Sequence, residues 1–399
     1  MLSTTSRPYI DASVPVLREH GLTITKVFYQ ALFEAHPELH HIFNAGNQAN
    51  GSQQQSLASA VFAYAANIDN QAALAPVIAR IAHKHASLGI TAEHYPIVGH
   101  HLLESIKQVL GEAATPALID AWAEAYGLLA QSLIEEENKL YQASDIKPGD
   151  LSDMRVLAIE KQSTEVVSFV LSPIDAKAPS FKPGQYISVA VHLPTGLRQL
   201  RQFSLSDAPD RACLRISVKR EIAGAETPAG MVSNWLHDNL IVGSVIAVSK
   251  PFGEFTPDTE SNEPIVLLSA GVGITPMISA LNRIAQISPQ RHVIFAHAAR
   301  NANLHPHRAD MEMALAGMPN LKSITFYEDD SDDTDATNLA GRMQVNKLPL
   351  WDVNQTKVYM CGPLPFMQAQ WHDLLENGVP ITHLHREVFG PDMLDHLIS

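Results

Sequence analysis

The spacing of hydrophobic residues changes twice along this 399-residue chain, and this limits the fold more than any other feature. Up to residue 143 apolar residues recur at helical spacing, which predicts amphipathic helices. From about residue 150 they alternate, which predicts β-strands, and beyond about residue 263 strands and helices alternate. We therefore predict a multidomain chain: an all-α domain at residues 1–143, an antiparallel β-barrel domain at 150–256 and a doubly wound α/β domain at 263–399.

Two polar segments, residues 144–150 (SDIKPGD) and 256–263 (TPDTESNE), separate the three parts. In the first part we predict helices at Gly21–Glu34, from Ser52, around His85, after a Thr91 cap and at Pro116–Gln142. In the barrel we predict strands Met154–Ile159, Val166–Leu171, Tyr186–His192 and Leu214–Lys219 and a helix, Met231–Asn239. In the last part we predict strands Pro264–Ala270, His292–His297, Lys322–Tyr327 and Lys357–Cys361 and helices Pro276–Ile287, Arg308–Ala316 and Pro365–Asn377.

Charge and cysteine content argue against several classes of protein. The net charge of −14 disfavours a general binder of nucleic acid or of anionic membranes. The two cysteines, Cys213 and Cys361, form no disulfide framework, so we expect a reducing compartment and a cytoplasmic protein. The sequence shows no signal peptide and no apolar run of membrane-spanning length, so we expect no obligate membrane association. The nineteen histidines are scattered and match no zinc-binding pattern.

One histidine stands on an apolar helix face. Ile78, Ile81, Ala82 and His85 fall at i, i+3, i+4 and i+7, so they share one side of a helix that Gly89 is expected to end. His85 is then either a buried histidine bonded to a backbone carbonyl or an axial ligand to a flat apolar cofactor such as haem. The local sequence leaves both interpretations open.

The strongest motif follows the first apolar strand of the last part. Ala270-Gly271-Val272-Gly273-Ile274-Thr275-Pro276 lies between that strand and a predicted helix. Its glycines let the backbone approach a pyrophosphate, and the N–H groups of the helix start can bind it. Pro276 is predicted at the first helical position, where its missing N–H costs nothing. With Cys361-Gly362-Pro363 after a later strand, the motif predicts a dinucleotide site.

A second group of candidate residues lies in the predicted barrel. Arg201-Gln202-Phe203-Ser204 offers a guanidinium for a phosphate, an aromatic ring for a flat cofactor and a hydroxyl for a ring nitrogen. Tyr186 adds an aromatic side chain, and Gly230-Met231-Val232-Ser233 opens the barrel helix with free N–H groups. Each feature alone is also typical of turns and cores. Together, and before a nucleotide domain, they indicate a flavin.

With these motifs, residues 150–399 resemble the ferredoxin-NADP reductase superfamily, which has an RxYS-type flavin motif, GxGxxP and CGP. The helical part resembles a globin in Phe43 after the Pro37 turn, in Gln53 and Leu57 one helical turn apart, and in His85. A globin fused to such a reductase is the arrangement of the flavohaemoglobin family. The resemblance covers essentially the whole chain, including its ending Glu387-Val388-Phe389-Gly390-Pro391.

The resemblance implies roles for residues of the helical part. His85 would be the proximal iron ligand of haem b, and Tyr95 and Glu137 would pair with it from behind. Tyr29 and Gln53 would hydrogen-bond dioxygen on the opposite side. The remaining implied positions are the pocket residues Phe43 and Leu57 and, near the haem–flavin junction, Lys84.

The choice of Glu137 is not fixed by spacing, because Glu135, Glu136 and Glu137 are adjacent. We favour Glu137 because its apolar neighbours share one helix face with it. Those neighbours are Leu133, Leu140 and Tyr141.

In the reductase part the resemblance implies three sets of contacts. FAD would be held by Tyr186, Arg201, Gln202, Phe203, Ser204, Gly230, Val232 and Ser233, with Phe389, Gly390 and Pro391 near the flavin. The NAD(P)H pyrophosphate would meet Gly271, Val272, Gly273, Ile274, Thr275 and Pro276, and Cys361 and Gly362 would approach the nicotinamide. The family usually has Tyr where this chain has Phe203, so ring stacking is kept and the hydroxyl's hydrogen bond is lost.

The implied activity is that of a nitric oxide dioxygenase, in which NAD(P)H reduces FAD, FAD reduces haem, and O2 reacts with NO to give nitrate. A pure oxygen carrier has no need of an attached reductase, which favours an enzyme. Two alternatives stay open: an oxygen store or sensor whose reductase keeps the iron ferrous, and a reductase of hydroperoxides or ferric chelates. We expect a monomer without nucleic-acid partners. Arg300 could meet the 2′-phosphate of NADPH, although a surface arginine is the simpler interpretation.

Overall fold

The structure is a computed structural model that describes residues 1–43, 51–175, 177–194, 196–224, 228–329 and 337–390. Its helices are α1 (Arg7–Ala35), α2 (Ser52–Ala66), α3 (Gln71–Leu88), α4 (His94–Leu110), α5 (Pro116–Ala143), α6 (Met231–Asn239), α7 (Ile274–Ile287), α8 (Arg308–Gly317) and α9 (Leu364–Glu376). Its strands are β1 (Ser152–Lys161), β2 (Val166–Pro173), β3 (Tyr186–His192), β4 (Arg198–Ser204), β5 (Leu214–Lys219), β6 (Val245–Val248), β7 (Ile265–Ala270), β8 (Val293–Ala299), β9 (Leu321–Tyr327), β10 (Asn338–Ala340), β11 (Lys357–Cys361) and β12 (Leu384–Glu387).

The helical part begins earlier than the sequence pattern suggested. α1 starts at Arg7 and not at Gly21, because buried residues such as Leu17 and Ile24 continue one apolar face through the whole helix. Gly21 lies inside α1 at its contact with α2, where a Cβ would lie 3.4 Å from Ala58 Cβ. The predicted helix start was therefore wrong, and the glycine marks a close helix–helix contact instead.

The helix that carries His85, α3, is capped at both ends. Asn70 accepts a hydrogen bond from Ala73 N at 3.1 Å before its first turn, and Gly89 takes φ = +78° after its last. The prediction that Gly89 ends this helix is confirmed. The predicted Thr91 cap is wrong: α4 begins at His94, and Thr91 Oγ1 lies 3.0 Å from the imidazole Nδ1 of His94.

Among the described residues, the middle part forms an antiparallel sheet of six strands in the order β4-β3-β6-β1-β2-β5. A bridge between Leu205 and Ile216 links the ends of β4 and β5, so the sheet curls into a barrel. The sequence pattern missed β4, which is mostly polar (RQLRQFS), and β6, which has four residues. α6 contributes Val232 and Leu236 to the same core as the inward-facing strand residues.

The last part contains a parallel sheet in the order β10-β9-β8-β7-β11-β12. β7 is buried at every residue and lies between β8 and β11, so the glycine motif that follows it is at the carboxyl edge of the sheet. The sequence pattern missed β10, which has three residues, and β12, which is mostly polar (LHRE). α7 begins at Ile274, so Pro276 is its third residue; the prediction of the first position was wrong because the turn Gly271–Gly273 runs directly into the helix.

Each part has its own buried apolar core. The order of an all-α part, an antiparallel barrel and a doubly wound α/β part confirms the predicted fold class. Within the described ranges, no helix combines the length and apolar character needed to cross a membrane.

Candidate functional site

A buried carboxylate holds the imidazole of His85. Its Nδ1 donates a hydrogen bond to Glu137 Oε1 on α5 at 2.8 Å and lies 3.1 Å from the hydroxyl oxygen of Tyr95 on α4. The Tyr95 hydroxyl donates to the same carboxylate oxygen. Of the three adjacent glutamates, Glu137 is the buried one, with 2% exposure. The structure therefore brings together three residues that the sequence grouped around a proposed proximal ligand.

The electrostatics of this cluster define its donors and its acceptor. Burial, assisted by the hydrogen bond and charge of Glu137, raises the pKa of Tyr95 far above its ordinary value, so the hydroxyl stays protonated. A carboxylate that accepts from Nδ1 makes the other ring nitrogen, Nε2, a stronger electron donor. In the described part of the chain, Nε2 of His85 makes no hydrogen bond. That nitrogen is therefore free to bind a metal.

Tyr29 of α1 and Gln53 of α2 meet inside the helical part. Burial raises the pKa of Tyr29 well above its ordinary value, while its hydrogen bond with Gln53 acts in the opposite direction. An interaction that lowers this pKa has the Gln53 amide as donor, which leaves the hydroxyl proton for a third group. Gln53 Oε1 is buried without a hydrogen-bond partner among the described residues. A buried amide oxygen of this kind can accept a hydrogen bond from water or from a ligand that donates one.

Phe43 and Leu57 lie beside this corner. The rings of Tyr29 and Phe43 meet edge to face with centroids 5.7 Å apart. Phe43 and Leu57 are half-buried and pack against the same apolar core. They therefore give the corner apolar walls, as expected for the pocket of a flat apolar cofactor.

Lys84 lies next to the segment that follows β12. The Lys84 ammonium donates to the carbonyl oxygen of Gly390 at 3.3 Å, which joins α3 to the segment after β12. The side chain of Phe389 is 46% exposed, so its ring has an open face. Pro391, the last position predicted to lie near a flavin, is outside the described residues.

Arg201, Phe203 and Ser204 belong to β4, a strand that the sequence pattern missed. The Arg201 guanidinium donates to Leu200 O at 2.6 Å and to Gln199 Oε1 at 2.8 Å. Burial lowers the pKa of Arg201 to about 10, and a phosphate beside the guanidinium would act against that shift. Phe203 packs half-buried against the barrel core, and Ser204 is buried. The arrangement suits an anionic group next to an aromatic ring.

Tyr186 and Gln202 both reach the helical part. The Gln202 amide donates to Ser87 Oγ at 3.3 Å, and the Tyr186 hydroxyl forms a hydrogen bond with the same serine. Burial raises the pKa of Tyr186, so its hydroxyl stays neutral. Ser87 was not a candidate from the sequence. The sequence shows only that Ser87 lies two residues after His85. Its contacts with Gln202 and Tyr186 are visible only in the folded structure.

At the start of α6, the Ser233 hydroxyl is hydrogen-bonded to the backbone of nearby residues. Ser233 Oγ donates to Gly230 O at 3.2 Å and accepts from Glu221 N at 3.3 Å. A Cβ at Gly230 would lie 2.5 Å from Ser233 Oγ and 2.8 Å from Glu221 Cβ, so glycine lets this turn pack closely. Val232 is buried in the barrel core. Here the backbone N–H groups, and not the side chains, can serve a phosphate.

The two glycines of the dinucleotide motif have different tasks. Gly271 has φ = +53°, a backbone conformation that favours glycine. A Cβ at Gly273 would lie 2.4 Å from Cys361 O, so glycine lets the start of α7 pack against the end of β11. Val272 is half-buried and its carbonyl accepts from Thr275 Oγ1 at 3.0 Å. The next three side chains, those of Ile274, Thr275 and Pro276, are buried. Only the backbone of these residues can therefore face a ligand.

Cys361 and Gly362 follow at the end of β11. The Cys361 side chain is fully buried, and burial raises the pKa of its thiol well above the ordinary value. A Cβ at Gly362 would lie 2.7 Å from the Phe366 ring and 3.0 Å from Ala270 Cβ. The neutral thiol belongs to the core, so a nicotinamide could be approached here only through the backbone.

Two further charged residues clarify the sequence analysis. Arg300 donates to Glu165 Oε1 at 2.8 Å and is 57% exposed, which favours the surface interpretation. Glu387, quoted only as part of the chain ending, is buried, and its Oε2 lacks a partner among the described residues. Burial, together with the charge of Glu254, raises the pKa of Glu387 to about 8. The polar strand LHRE gave no signal for that burial.

Comparison with protein families separates the two ends of the chain. The Globin family model matches residues 26–133. The model of the oxidoreductase NAD-binding domain matches residues 267–372. These matches cover the region with His85 and the region with the glycine motif.

Relatives match over the whole chain. A Flavohemoprotein of Bordetella parapertussis is 47% identical over 98% of this chain and 99% of its own length. One of Rhizobium meliloti is 45% identical with the same coverage, 98% and 99%. The crystal structure of flavohemoglobin from Malassezia yamatoensis with bound FAD and heme matches with a TM-score of 0.87 and 32% identity over 98% of this chain and 100% of that chain. The flavohem-like FAD/NAD binding domain of nitric oxide dioxygenase from Vibrio cholerae matches with a TM-score of 0.57 and 36% identity, covering 61% of this chain and 100% of that chain.

Proposed function

The chain belongs to the flavohemoprotein family, and we propose that within it this protein is an NAD(P)H-dependent nitric oxide dioxygenase. The observation that carries the proposal is the hydrogen bond of 2.8 Å between His85 Nδ1 and the buried carboxylate of Glu137. An imidazole backed by a carboxylate suits oxygen activation better than oxygen storage. The nitric oxide dioxygenase of Vibrio cholerae, whose reductase domain is similar to this one, supports the choice of NO.

Haem b and FAD fit the residues that are present. His85 Nε2 would ligate the iron, and Tyr29 and Gln53, which form a hydrogen bond with each other, would face the haem ligand. Arg201 and Phe203 would contact FAD, and the Gly271–Gly273 turn would hold the NAD(P)H pyrophosphate. When bound, haem supplies the iron at which O2 and NO combine, and FAD converts the hydride of NAD(P)H into single electrons.

The chain's own residues would bind, orient and fix protons. Tyr29 keeps its hydroxyl proton at ordinary pH and, with Gln53, orients dioxygen by hydrogen bonds. Glu137 holds the proton of His85 Nδ1, which fixes the tautomer and leaves Nε2 for the iron. Tyr95 donates to Glu137 and limits the movement of that carboxylate. Tyr29, Tyr95 and Glu137 are buried, which limits the access of water to the site.

The reaction balances with the groups named. NO, O2 and one electron give nitrate, so one NAD(P)H, which supplies two electrons, serves two molecules of NO. The partners are therefore small molecules, O2 and NO, and the proposal includes a cytoplasmic monomer with neither nucleic-acid nor obligate membrane partners.

Steady-state measurement of NADH, O2 and nitrate tests the proposal. With O2 present, adding NO should accelerate NADH oxidation and give two nitrates for each NADH consumed. An oxygen store or sensor would give neither result. A reductase of hydroperoxides or ferric chelates would consume NADH with those acceptors and not with NO.

A further inference from the structure

A second face of α3 is turned towards the reductase. Arg80, His83, Lys84 and Ser87 fall at i, i+3, i+4 and i+7, so they share one side of the helix. His85 points to a different side, towards α4 and α5. One helix thus carries the proposed haem ligand on one face and a polar stripe on another.

Every member of this stripe contacts a residue of the reductase. The Arg80 guanidinium donates from Nε to Glu254 Oε1 at 2.8 Å. The His83 imidazole accepts at Nδ1 from the backbone N–H of Gly253 at 3.0 Å. The other two members make the contacts with Gly390, Gln202 and Tyr186 described above.

The Phe252–Glu254 loop, which contacts Arg80 and His83, also packs against Tyr186, a residue expected to bind FAD. Phe252 forms a bridge with Tyr186 and packs in one apolar cluster with Ala86 of α3. A Cβ at Gly253 would lie 3.1 Å from the Tyr186 ring, so this glycine with φ = +126° lets the loop lie flat against that ring. The position of α3 is therefore tied to the residues expected to surround the flavin.

We propose that Arg80 and His83 are positioning residues for electron transfer, which hold the helix of His85 against the Phe252–Glu254 loop of the barrel. The inference rests on the proposed function, because it needs both haem and FAD. With both cofactors bound, one NAD(P)H would transfer a hydride to FAD, and the two electrons would then pass singly to ferric iron. Two ferric haems would be reduced for each NAD(P)H, and the protons of the reduced flavin would be released.

The contacts are strong enough to matter because they are shielded from water. The side chains of Arg80 and Glu254 are 27% and 23% exposed, and His83 is half-buried. Screening is weaker there than at a surface ion pair. Each contact stabilises the arrangement in which the helical part is docked on the barrel. Losing a contact lowers the fraction of molecules in that arrangement, from which electrons pass to haem.

Rapid-mixing spectroscopy of the holoprotein tests the proposal. NADH is mixed with oxidised protein in anaerobic, CO-saturated buffer, and the flavin and Soret bands are followed separately. We expect Arg80→Leu and His83→Ala each to slow haem reduction about threefold, and the double variant about tenfold, with flavin reduction unchanged. Lys107→Leu is the matched control, because Lys107 pairs with Glu104 within α4 at 2.7 Å. Haem reduction at the wild-type rate in the double variant would overturn the proposal.

Rescue variants and an exchange measurement guard against a general loss of structure. Asn can accept from Gly253 N–H as His83 does, so His83→Asn should restore the rate that His83→Ala loses. The swap Arg80→Glu with Glu254→Arg should restore the rate that Arg80→Leu loses. In the chain without cofactors, hydrogen exchange of the Gly253 amide should be faster in His83→Ala than in wild type or His83→Asn. Unchanged exchange, or no rescue by either replacement, would contradict the proposal. None of these measurements uses NO, so they stand apart from the test of dioxygenase activity.

Discussion

At the scale of single residues, the proposed activity depends on where one proton is held. Glu137 accepts from both His85 and Tyr95, and its neighbours in sequence, Glu135 and Glu136, face outward. Sequence spacing could not separate the three glutamates, whereas the apolar face shared with Leu133 and Tyr141 favoured Glu137. The buried position follows from that face.

Replacement of Glu137 by Gln is the sharpest test of the proximal cluster. The amide keeps the shape and loses the charge, so we expect NO-dependent NADH oxidation to fall by about tenfold or more with haem retained, as for other residues that support a metal ligand. Glu136→Gln is the matched control on the outer side of the same helix. Equal activity of both variants would contradict the role of Glu137.

Replacement of Tyr29 by Phe tests the opposite corner. Removing the hydroxyl takes away a donor to dioxygen and an acceptor for Gln53, so we expect faster release of dioxygen, by about tenfold, corresponding to roughly 1.4 kcal/mol. Flash photolysis of the reduced holoprotein measures the release rate. Tyr64→Phe is a control, since Tyr64 donates to Ala125 O elsewhere in the helical part. An unchanged rate would remove Tyr29 from the account.

At the scale of elements, the packing of α7 on β11 decides the dinucleotide site. We expect Gly273→Ala to cost about 2 kcal/mol of stability, because its Cβ would overlap the Cys361 carbonyl. We also expect a raised KM for NADH with little change in haem spectrum. Gly317→Ala, where a Cβ meets nothing within 4 Å, is the control. Urea unfolding and NADH titration check both effects, and a Gly273→Ala protein as stable as the control would contradict the steric argument.

The elements also show what can be read from sequence and what cannot. Strands with clear alternation, β3 and β5, and the barrel helix α6 have the predicted bounds. β4 and β12 were missed because their residues are mostly polar, and each gains its strand conformation from pairing with a neighbour, β3 or β11. Three buried polar residues, Gln199, Ser204 and Glu387, lie on these strands. These strands form through pairing with distant parts of the chain, which the local sequence does not show. The candidate-site residues on them therefore could not be placed on strands from the sequence alone.

At the scale of the whole molecule, a buried polar network joins the barrel to the α/β part. Asp310 of α8 accepts from Arg215 of β5 at 2.7 Å and from His307 at 2.9 Å. Burial alone would raise the pKa of Asp310, but the His307 hydrogen bond and the Arg215 charge lower it below its ordinary value. The charged carboxylate thus stabilises the folded chain. Local sequence patterns do not reveal this role, because Arg215 lies 95 positions from Asp310.

Acid should weaken this connection. A carboxyl with a lowered folded pKa adds stability above its unfolded value of about 4, and that stability is lost as the pH falls below it. We expect Asp310→Asn to cost about 3 kcal/mol at neutral pH, with the difference from wild type shrinking at acid pH. Thermal unfolding across pH measures it, with Asp238→Asn, in an exposed ion pair, as the control. A difference that does not depend on pH would contradict the assignment.

The whole molecule also forms one electron path in the proposed function, from NAD(P)H through FAD to the helix of His85. The most direct test of that central claim is a reaction with isotopically labelled dioxygen. The holoprotein is given NADH, NO and ¹⁸O₂, and the nitrate is analysed by mass spectrometry. A dioxygenase places both atoms of one O2 in one nitrate, so we predict nitrate with two ¹⁸O atoms, formed only when NADH and NO are present together. Nitrate with one ¹⁸O atom or none, or NADH oxidation without nitrate, would contradict the account.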